Sequence, residues 1–280
     1  MLRVGVIASP DKELAPRAMQ RLLAWLDGRC EVVFSDVSYD ASHALVTKPD
    51  LLFVLGGDGT LISVAHSLGE NQLRIVGVNL GKLGFLAEFT IEQFEREGAF
   101  LFGADVPVTC RVMLNVRIEH AEGPSFETPA VNDCVIHAGP PYRMIELIVE
   151  ADSEEVATIR GDGLIIATPS GSTAHNLAAG GPILEPTAES FILTPICPHA
   201  LTFRPLAMDS HRRIVVRPAR SNESTTVSVD GHTRRVIQRH DRVIITRYPA
   251  DFLLVRNPKR SAWSALRKKL MWGARPRSGD

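Results

Sequence analysis

The sequence predicts an α/β protein in two parts, an open α/β layer followed by a β-rich domain, and three observations carry that expectation. Continuous apolar runs of strand length, Leu51 to Leu55 and Arg74 to Val78, alternate with helix-period segments early in the chain. A glycine-rich turn joins the first of these runs directly to a helical pattern. Beyond Val106-Pro107 the chain changes to short, β-rich runs broken by Gly, Pro, Asp and Ser.

Taken in order, Leu2 to Ala8 reads as a strand, and apolar positions at Leu14, Ala18, Leu22 and Trp25 recur at three- and four-residue steps, as on one face of a helix. Glu31 to Phe34, Leu51 to Leu55 and Arg74 to Val78 read as further strands, and the segment around Ile91, Phe94 and Phe102 as a closing helix. Residues 1–102 therefore form the expected open, Rossmann-like layer. Residues 103–257 form the expected β-rich domain, with strands at Arg111 to His120, Ala130 to His137, Met144 to Val149, Val156 to Ile159, Arg212 to Val216, Thr225 to Val229, Arg242 to Thr246 and Phe252 to Val255. Within the remaining tail, 258–280, Ser261 to Leu270 reads as a short basic helix that returns to the N-terminal layer or lies as a solvated cap.

Composition narrows the partners. In 280 residues, 31 Lys and Arg stand against 32 Asp and Glu, and a net charge of -1 gives no general attraction to nucleic acid or an anionic membrane. The start, MLRVGVIASP, continues as a strand and has no small-residue cleavage site, and no run approaches the apolar length of a membrane helix. The 4 cysteines, Cys30, Cys110, Cys134 and Cys197, lack paired spacing, which fits a reducing cytoplasm. Cys197 and His199 make one i, i+2 pair, but no second pair stands nearby to complete a tetrahedral metal site, so ordinary packing is the better reading.

The chemistry concentrates where Leu51 to Leu55 runs into Gly56-Gly57-Asp58-Gly59-Thr60 and then a helical pattern through Leu61, Val64, Ala65 and Leu68. A glycine turn at the carboxyl end of a parallel strand, opening a helix, lets backbone N–H groups approach a phosphate. It matches neither GxGxxG nor the lysine-containing P-loop. A carboxylate there repels phosphate unless Mg²⁺ lies between them or a hydroxyl gives it a proton, and phosphoryl transfer supplies both circumstances. A plain Asp-Gly turn is the alternative, weakened by three glycines gathered behind an apolar strand.

Two more stretches have chemical sense of their own. Asn132 offers donor and acceptor, as an adenine edge requires, and Asp133 accepts hydrogen bonds from ribose hydroxyls, although an isolated Asn-Asp pair is more often an Asx turn. Ser170-Gly171-Ser172-Thr173 leads into Ala174-His175-Asn176-Leu177-Ala178, which reads as a capped helix start facing a polar ligand.

GGDGT resembles the signature shared by NAD kinases, by diacylglycerol and sphingosine kinases and, with serine last, by phosphofructokinases. Three further stretches resemble the NAD kinase family in particular: Asn79 to Leu86 is similar to its N-x-G-x-L-G-F loop, Ala130-Val-Asn-Asp133 to its L-N-E/D motif, and RGDGLIIATPSGSTAHNLAAGGP, Arg160 to Pro182, to its long glycine- and hydroxyl-rich block. The likeness extends to Asp230-Gly231-His232 against D-G-Q, to Cys197 through Pro205, and to the Leu266 to Leu270 tail.

That resemblance implies transfer of a phosphoryl group from a nucleoside triphosphate, with Mg²⁺ or another divalent cation, to the 2′-hydroxyl of the adenosine ribose of NAD. It implies Asp58 as proton acceptor, with Gly57 and Gly59 beside the phosphates, and Asn132 and Asp133 holding the adenosine. Phe85 would line the adenine pocket, and Asp162, Thr173, Ala174, His175, Asn176, Leu177, Ala178 and His232 would complete the dinucleotide site. Arg143 and Arg160 fall where the family has basic or polar dinucleotide contacts, against a plain reading as strand-edge surface charge. A homodimer or homotetramer is implied, with Arg160 reaching toward a neighbouring subunit's ligand. His175 stands where tyrosine is usual, keeping a stacking face, and Ala178 where serine is frequent, losing a hydroxyl. A lipid kinase would share GGDGT but needs an apolar slot in place of the hydroxyl-rich block, and a dinucleotide sensor without turnover has no use for Asp58 beside phosphate.

Overall fold

The computed structural model describes residues 1–81, 84–103, 105–261 and 263–271. Lys82 and Leu83 of the expected Asn79 to Leu86 loop, and 262 and 272–280 of the expected tail, lie outside the described residues. The chain divides into two compact units, Met1–Thr109 together with Leu253–Asp280, and Cys110–Phe252, so the second is an insertion in the first.

The first unit alternates strand and helix: β1 Arg3–Ala8, α1 Ala15–Leu26, β2 Glu31–Val37, α2 Ser42–Thr47, β3 Leu51–Gly56, α3 Asp58–Leu68, β4 Ile75–Asn79, α4 Ile91–Glu97, a 3₁₀ turn Gly98–Phe102, and β5 Val108–Arg111. β2, β1, β3 and β4 pair in parallel in that order. All of β3 is buried, which is why it reads as an unbroken apolar run, as in a sheet covered on both faces. α1 buries Ala15, Ala18, Met19, Leu22 and Leu26, while Leu14, expected on that face, is 60% exposed, because Pro16 in the first turn starts the helix just after it. The closing helix expected around Ile91, Phe94 and Phe102 is α4 followed by the tighter 3₁₀ turn; Phe94 meets Phe53 and Phe89 with ring centroids 5.6 and 4.9 Å apart. Arg21 of α1 bonds Glu92 and Glu95 of α4.

The second unit is all strand but for short turns: β6 Leu114–Glu119, β7 Phe126–Ala130, β8 Asp133–His137, β9 Ile145–Ala151, β10 Glu154–Gly161, β11 Gly163–Ala167, a 3₁₀ turn Gly171–Thr173, α5 His175–Ala178, β12 Ser190–Ile196, β13 Leu206–Asp209, β14 Ile214–Arg220, β15 Thr226–Val229, β16 Thr233–Val236 and β17 Arg242–Arg247. Then β18 Phe252–Val255 returns to the first sheet beside β4, with β5 on its other side, and α6 Ser264–Leu270 ends the described chain.

The insertion holds two antiparallel sheets, β10-β9-β14-β17-β6-β7 and β13-β12-β11-β8-β15-β16. Alternate residues of both, among them Leu114, Val116, Ile136, Leu147, Leu164, Phe191, Val216, Val229 and Val243, share one core, as in a sandwich. In the second sheet the opposite face is also partly covered, since Val135, Ile165, Ala167 and Ile192 pack with Ala179, Leu184 and Ile196. The strand expected over Ala130 to His137 is broken: β7 ends at Ala130 and β8 begins at Asp133, leaving Val131 and Asn132 in a bend.

Candidate active site

In the first unit, β3 ends at Gly56 and α3 opens at Asp58, with Gly57 between them in extended backbone, φ -124°. Gly56 has no room for a side chain, because a Cβ would lie 2.2 Å from Thr60 Oγ1. A Cβ on Gly57 or Gly59 would meet open space, so the backbone there faces outward uncovered. Thr60 Oγ1 accepts the Gly57 N–H at 3.3 Å, whereas no acceptor among the described residues takes the Asp58 or Gly59 N–H. Two free N–H groups at the start of an 11-residue helix suit an anion.

Asp58 is not a free carboxylate. Oδ2 accepts the Phe85 N–H at 2.8 Å, and Oδ1 accepts those of Leu86 and Ala87 at 3.0 and 3.2 Å. Of roughly four lone-pair positions on a carboxylate, one on Oδ2 remains for a reacting hydroxyl. Gly84 completes the closure, since a Cβ there would fall 1.9 Å from Asp58 Oδ1. The half-buried Phe85 ring carries the Lys269 ammonium 4.4 Å from its centroid.

In the second unit an open cleft of about 380 Å³ lies on the face of β8, β15 and β16, lined by Asn132, Asp133, Val135, His137, Ala174, His175, Ser228, Asp230, Gly231 and Arg234. Asp230, in the β15–β16 turn, accepts the N–H groups of Val131, Asn132 and Asp133 at 2.7, 2.8 and 2.9 Å. Neither the Asn132 amide nor the Asp133 carboxylate has a hydrogen-bond partner among the described residues, although Asp133 is 5% exposed. Burial, and then the Asp230 charge, push the Asp133 carboxyl up to about 7. Burial likewise raises the neighbouring Cys134 thiol.

The other expected residues divide. Ala174 and His175 line the cleft, and the lining takes Gly231 in place of its exposed neighbour His232. The Asn176 side chain is turned inward: fully buried, it donates to Ser172 O and Pro182 O at 3.1 and 3.0 Å and accepts from Thr194 Oγ1 at 2.6 Å. The capped helix start is corrected too. Neither N-cap residue, Ser170 nor Ala174, caps its helical turn with a side chain, and Ser172 and Thr173 donate their hydroxyls back to Pro169 O and Ser170 O. Thr173 and Leu177 are half-buried; Ala178, Asp162 and Arg143 are exposed. Arg160, 63% exposed on the edge strand β10, pairs with Glu146 across the β9 register at 2.5 Å. Among the described residues no cluster of three His, Cys, Asp or Glu could hold a metal.

Asp230 entered the sequence reading only within the D-G-Q likeness and Thr168 only within the Arg160 to Pro182 block, neither with a role of its own. An Asp-Gly pair between two β-rich runs is the signal for a tight hairpin turn and was there to be read; Asp230 and Gly231 both take positive φ, 48° and 71°.

Residues 8–98 match the model of the ATP-NAD kinase N-terminal domain and residues 131–257 that of its C-terminal domain. The chain is 37% identical over 275 residues to an NAD kinase of Rhodopirellula baltica, covering 98% of this chain and 88% of that one. It is 37% identical over 281 residues to one of Syntrophobacter fumaroxidans, covering 98% and 99%. Among solved structures, yeast NADH kinase complexed with NADH shares the fold, with a TM-score of 0.86 at 22% identity over 100% of this chain and 90% of that one. An NAD kinase from Archaeoglobus fulgidus in complex with ATP gives 0.74 at 27% identity over 92% and 95%. With the glycine turn, the Asn132-Asp133 bend and near full-length likeness to these enzymes, the chain belongs to the NAD kinase family.

Proposed function

We propose that the Asn132-Asp133 cleft binds the adenosine part of NAD, and that Asp58 takes the proton of the ribose 2′-hydroxyl in the transfer to NADP. The observation that carries the first half is the pair of unpartnered polar side chains on a bend whose backbone is engaged elsewhere. The 2′-oxygen forms a bond to the γ-phosphorus of the nucleoside triphosphate, the bond from that phosphorus to the β,γ-bridging oxygen breaks, and the diphosphate leaves. The free N–H groups of Asp58 and Gly59 serve the phosphates. A divalent cation, Mg²⁺ for preference, would come with the triphosphate and supply neutralisation of the charge on its oxygens, the turn itself offering the one carboxylate of Asp58.

Supplying purified protein with Mg²⁺, ATP and either NAD or sphingosine tests the reading by the product. Phosphorylated NAD supports it, phosphorylated sphingosine replaces it with a lipid kinase, and binding without turnover replaces it with a sensor. Asp133→Ala is expected to weaken NAD binding by roughly 1.5 to 3 kcal/mol, a lost charged hydrogen bond, and to leave ATP binding much less changed. Titrations in which ATP binding is lost and NAD binding kept would reverse the two assignments.

Four unpaired thiols favour a reducing, cytoplasmic setting, and among the described residues no helix is long and apolar enough to cross a membrane. A homodimer or homotetramer would cover open sheet edges such as β10, where Arg160 stands exposed. Mixed oligomers of Asp58→Asn and Arg160→Ala chains would then exceed both parents in activity, if Arg160 serves a neighbour's site. A fully active monomer overturns the assembly.

A further inference from the structure

We propose that Asp230 and Thr168 are positioning residues for NAD recognition, holding the Val131–Asp133 bend rigid so that the Asn132 and Asp133 side chains meet the adenosine already oriented. The proposal rests on the reading of this cleft as the NAD site.

The bend has six backbone polar groups, and these two residues engage every one. Asp230 Oδ2 accepts the Val131 N–H, and Oδ1 accepts those of Asn132 and Asp133. The Asp230 N–H returns the contact, donating to Asp133 O at 2.9 Å. From the opposite side Thr168 donates its hydroxyl to Val131 O at 2.6 Å and its N–H to Asn132 O at 2.8 Å. The same hydroxyl accepts the Gly171 N–H at 3.0 Å, and Gly171 lies so close that a Cβ there would fall 2.0 Å from Asn132 O.

A bend between two strands normally leaves several of these groups to water, and would sample many conformations. Here it is closed from both sides, and among the described residues the Asn132 and Asp133 side chains are left without a hydrogen-bond partner. Ligand binding then orders little that is not already ordered, which is the usual way preorganisation raises affinity.

Asp230 has a second effect through its charge. The charged and titratable groups around Asp133 in the cleft are Asp230 from the β15–β16 turn, His137 on β8, His175 on α5 and Arg234 on β16. Asp230 is the negative neighbour that, after burial, favours the protonated form of Asp133. A carboxylate accepts hydrogen bonds from two ribose hydroxyls where the acid does not, so NAD binding and deprotonation of Asp133 go together. The acid limb of kcat/KM for NAD should fall near the Asp133 value of about 7.

Steady-state kinetics of the full-length enzyme from pH 5 to 9 tests the proposal with four variants. In Asp230→Asn, one side-chain oxygen must serve where two did, and the charge is gone. Its KM for NAD is expected to rise on the order of 10- to 100-fold with kcat within roughly threefold. Its acid limb moves to lower pH, which a merely structural role would not produce. Thr168→Val keeps the shape and loses the hydroxyl, so KM for NAD rises while the limb stays; Thr168→Ser restores KM. An Asp230→Asn enzyme with unchanged KM, or with raised KM and an unmoved limb, overturns the role of Asp230. A Thr168→Val enzyme with wild-type KM overturns that of Thr168, and the threonine pair decides the matter if Asp230→Asn fails to fold. Asn132→Ala separates the underlying reading: wild-type KM for NAD there removes the cleft from NAD recognition, whereas a raised KM there with no effect at Asp230 or Thr168 removes only the clamp.

Discussion

Asp58 and Asp230 belong to different units and different elements, yet each carboxylate receives three consecutive backbone N–H groups, from residues 85–87 and 131–133 respectively. Each is followed by glycine, and each closes on a segment that carries an expected ligand contact, Phe85 in one case and Asn132-Asp133 in the other. The difference lies in what surrounds the carboxylate. Asp58 stands in the first turn of α3 beside N–H groups that find no acceptor among the described residues, a setting that suits an anion. Asp230 sits at a hairpin corner with a buried acid, Asp133, as its neighbour. One device thus closes a loop in the first unit, where proton transfer is proposed, and holds a bend in the second, where orientation and charge are proposed. It also changes the meaning of an Asn substitution: Asp58→Asn is no clean deletion of a base, because its amide NH₂ would face an N–H that the carboxylate accepted.

The comparison can be broken most severely at Asp58. Both Asp58→Asn and Asp58→Ala should lower kcat by roughly 10²-fold or more, the usual loss on removing a general base. Single-turnover assays that find near-normal chemistry in either would leave Asp58 as a loop anchor only, the twin of Asp230 in every respect.

Stability against pH sharpens the contrast. The folded Asp133 value of about 7 exceeds its ordinary 3.8, so between these pH values the native state holds a proton that the unfolded chain has released. Stability is therefore greatest below about pH 4 in this respect and is lost as pH rises through 7. Asp133→Asn should unfold at higher temperature than the parent at pH 8, by up to about 4 kcal/mol, and the gap should close toward pH 4. A gap independent of pH would mean that Asp133 is already charged in the free protein.

The smallest expected effects are at the paired glycines. Gly84→Ala would press on Asp58 Oδ1 and Gly171→Ala on Asn132 O, at 1.9 and 2.0 Å before relaxation. Overpacking of this kind costs typically about 1 to 3 kcal/mol. The first should depress kcat more than it raises KM for NAD, and the second the reverse; identical profiles would show that the two segments do not divide the work.

Much of this was legible in the sequence, for physical reasons that differ by region. β3 and β4 are buried on both faces, so their apolar runs stand out, and the glycine turn follows from where β3 must end. β11 and β12 were missed because their residues belong to glycine-, proline- and hydroxyl-rich stretches that look like loops, although Leu164, Ile165 and Ile166 are fully buried. Asn132 and Asp133 drew attention through their chemistry, and the fold sets both in the lining of one cleft. The inward turn of Asn176 was not legible, because side-chain type alone does not say which way it points, and here Thr194, 18 residues away, donates to its oxygen. Asp230 lies 98 residues from Asn132, and only the folded sheet brings its carboxylate to that bend.

The strand β18 sets the order in which the polypeptide can finish folding. The first sheet needs Phe252–Val255 between β4 and β5, yet the whole inserted sandwich is synthesised before those residues emerge. Until β18 arrives, β4 has an open edge. Closing that gap after the sandwich has folded costs far less chain entropy than spanning it as coil, since the insert's two ends are then already fixed. The unit whose strands are made first is thus the one completed last, and a released chain truncated before Phe252 should keep β4 exposed to amide exchange.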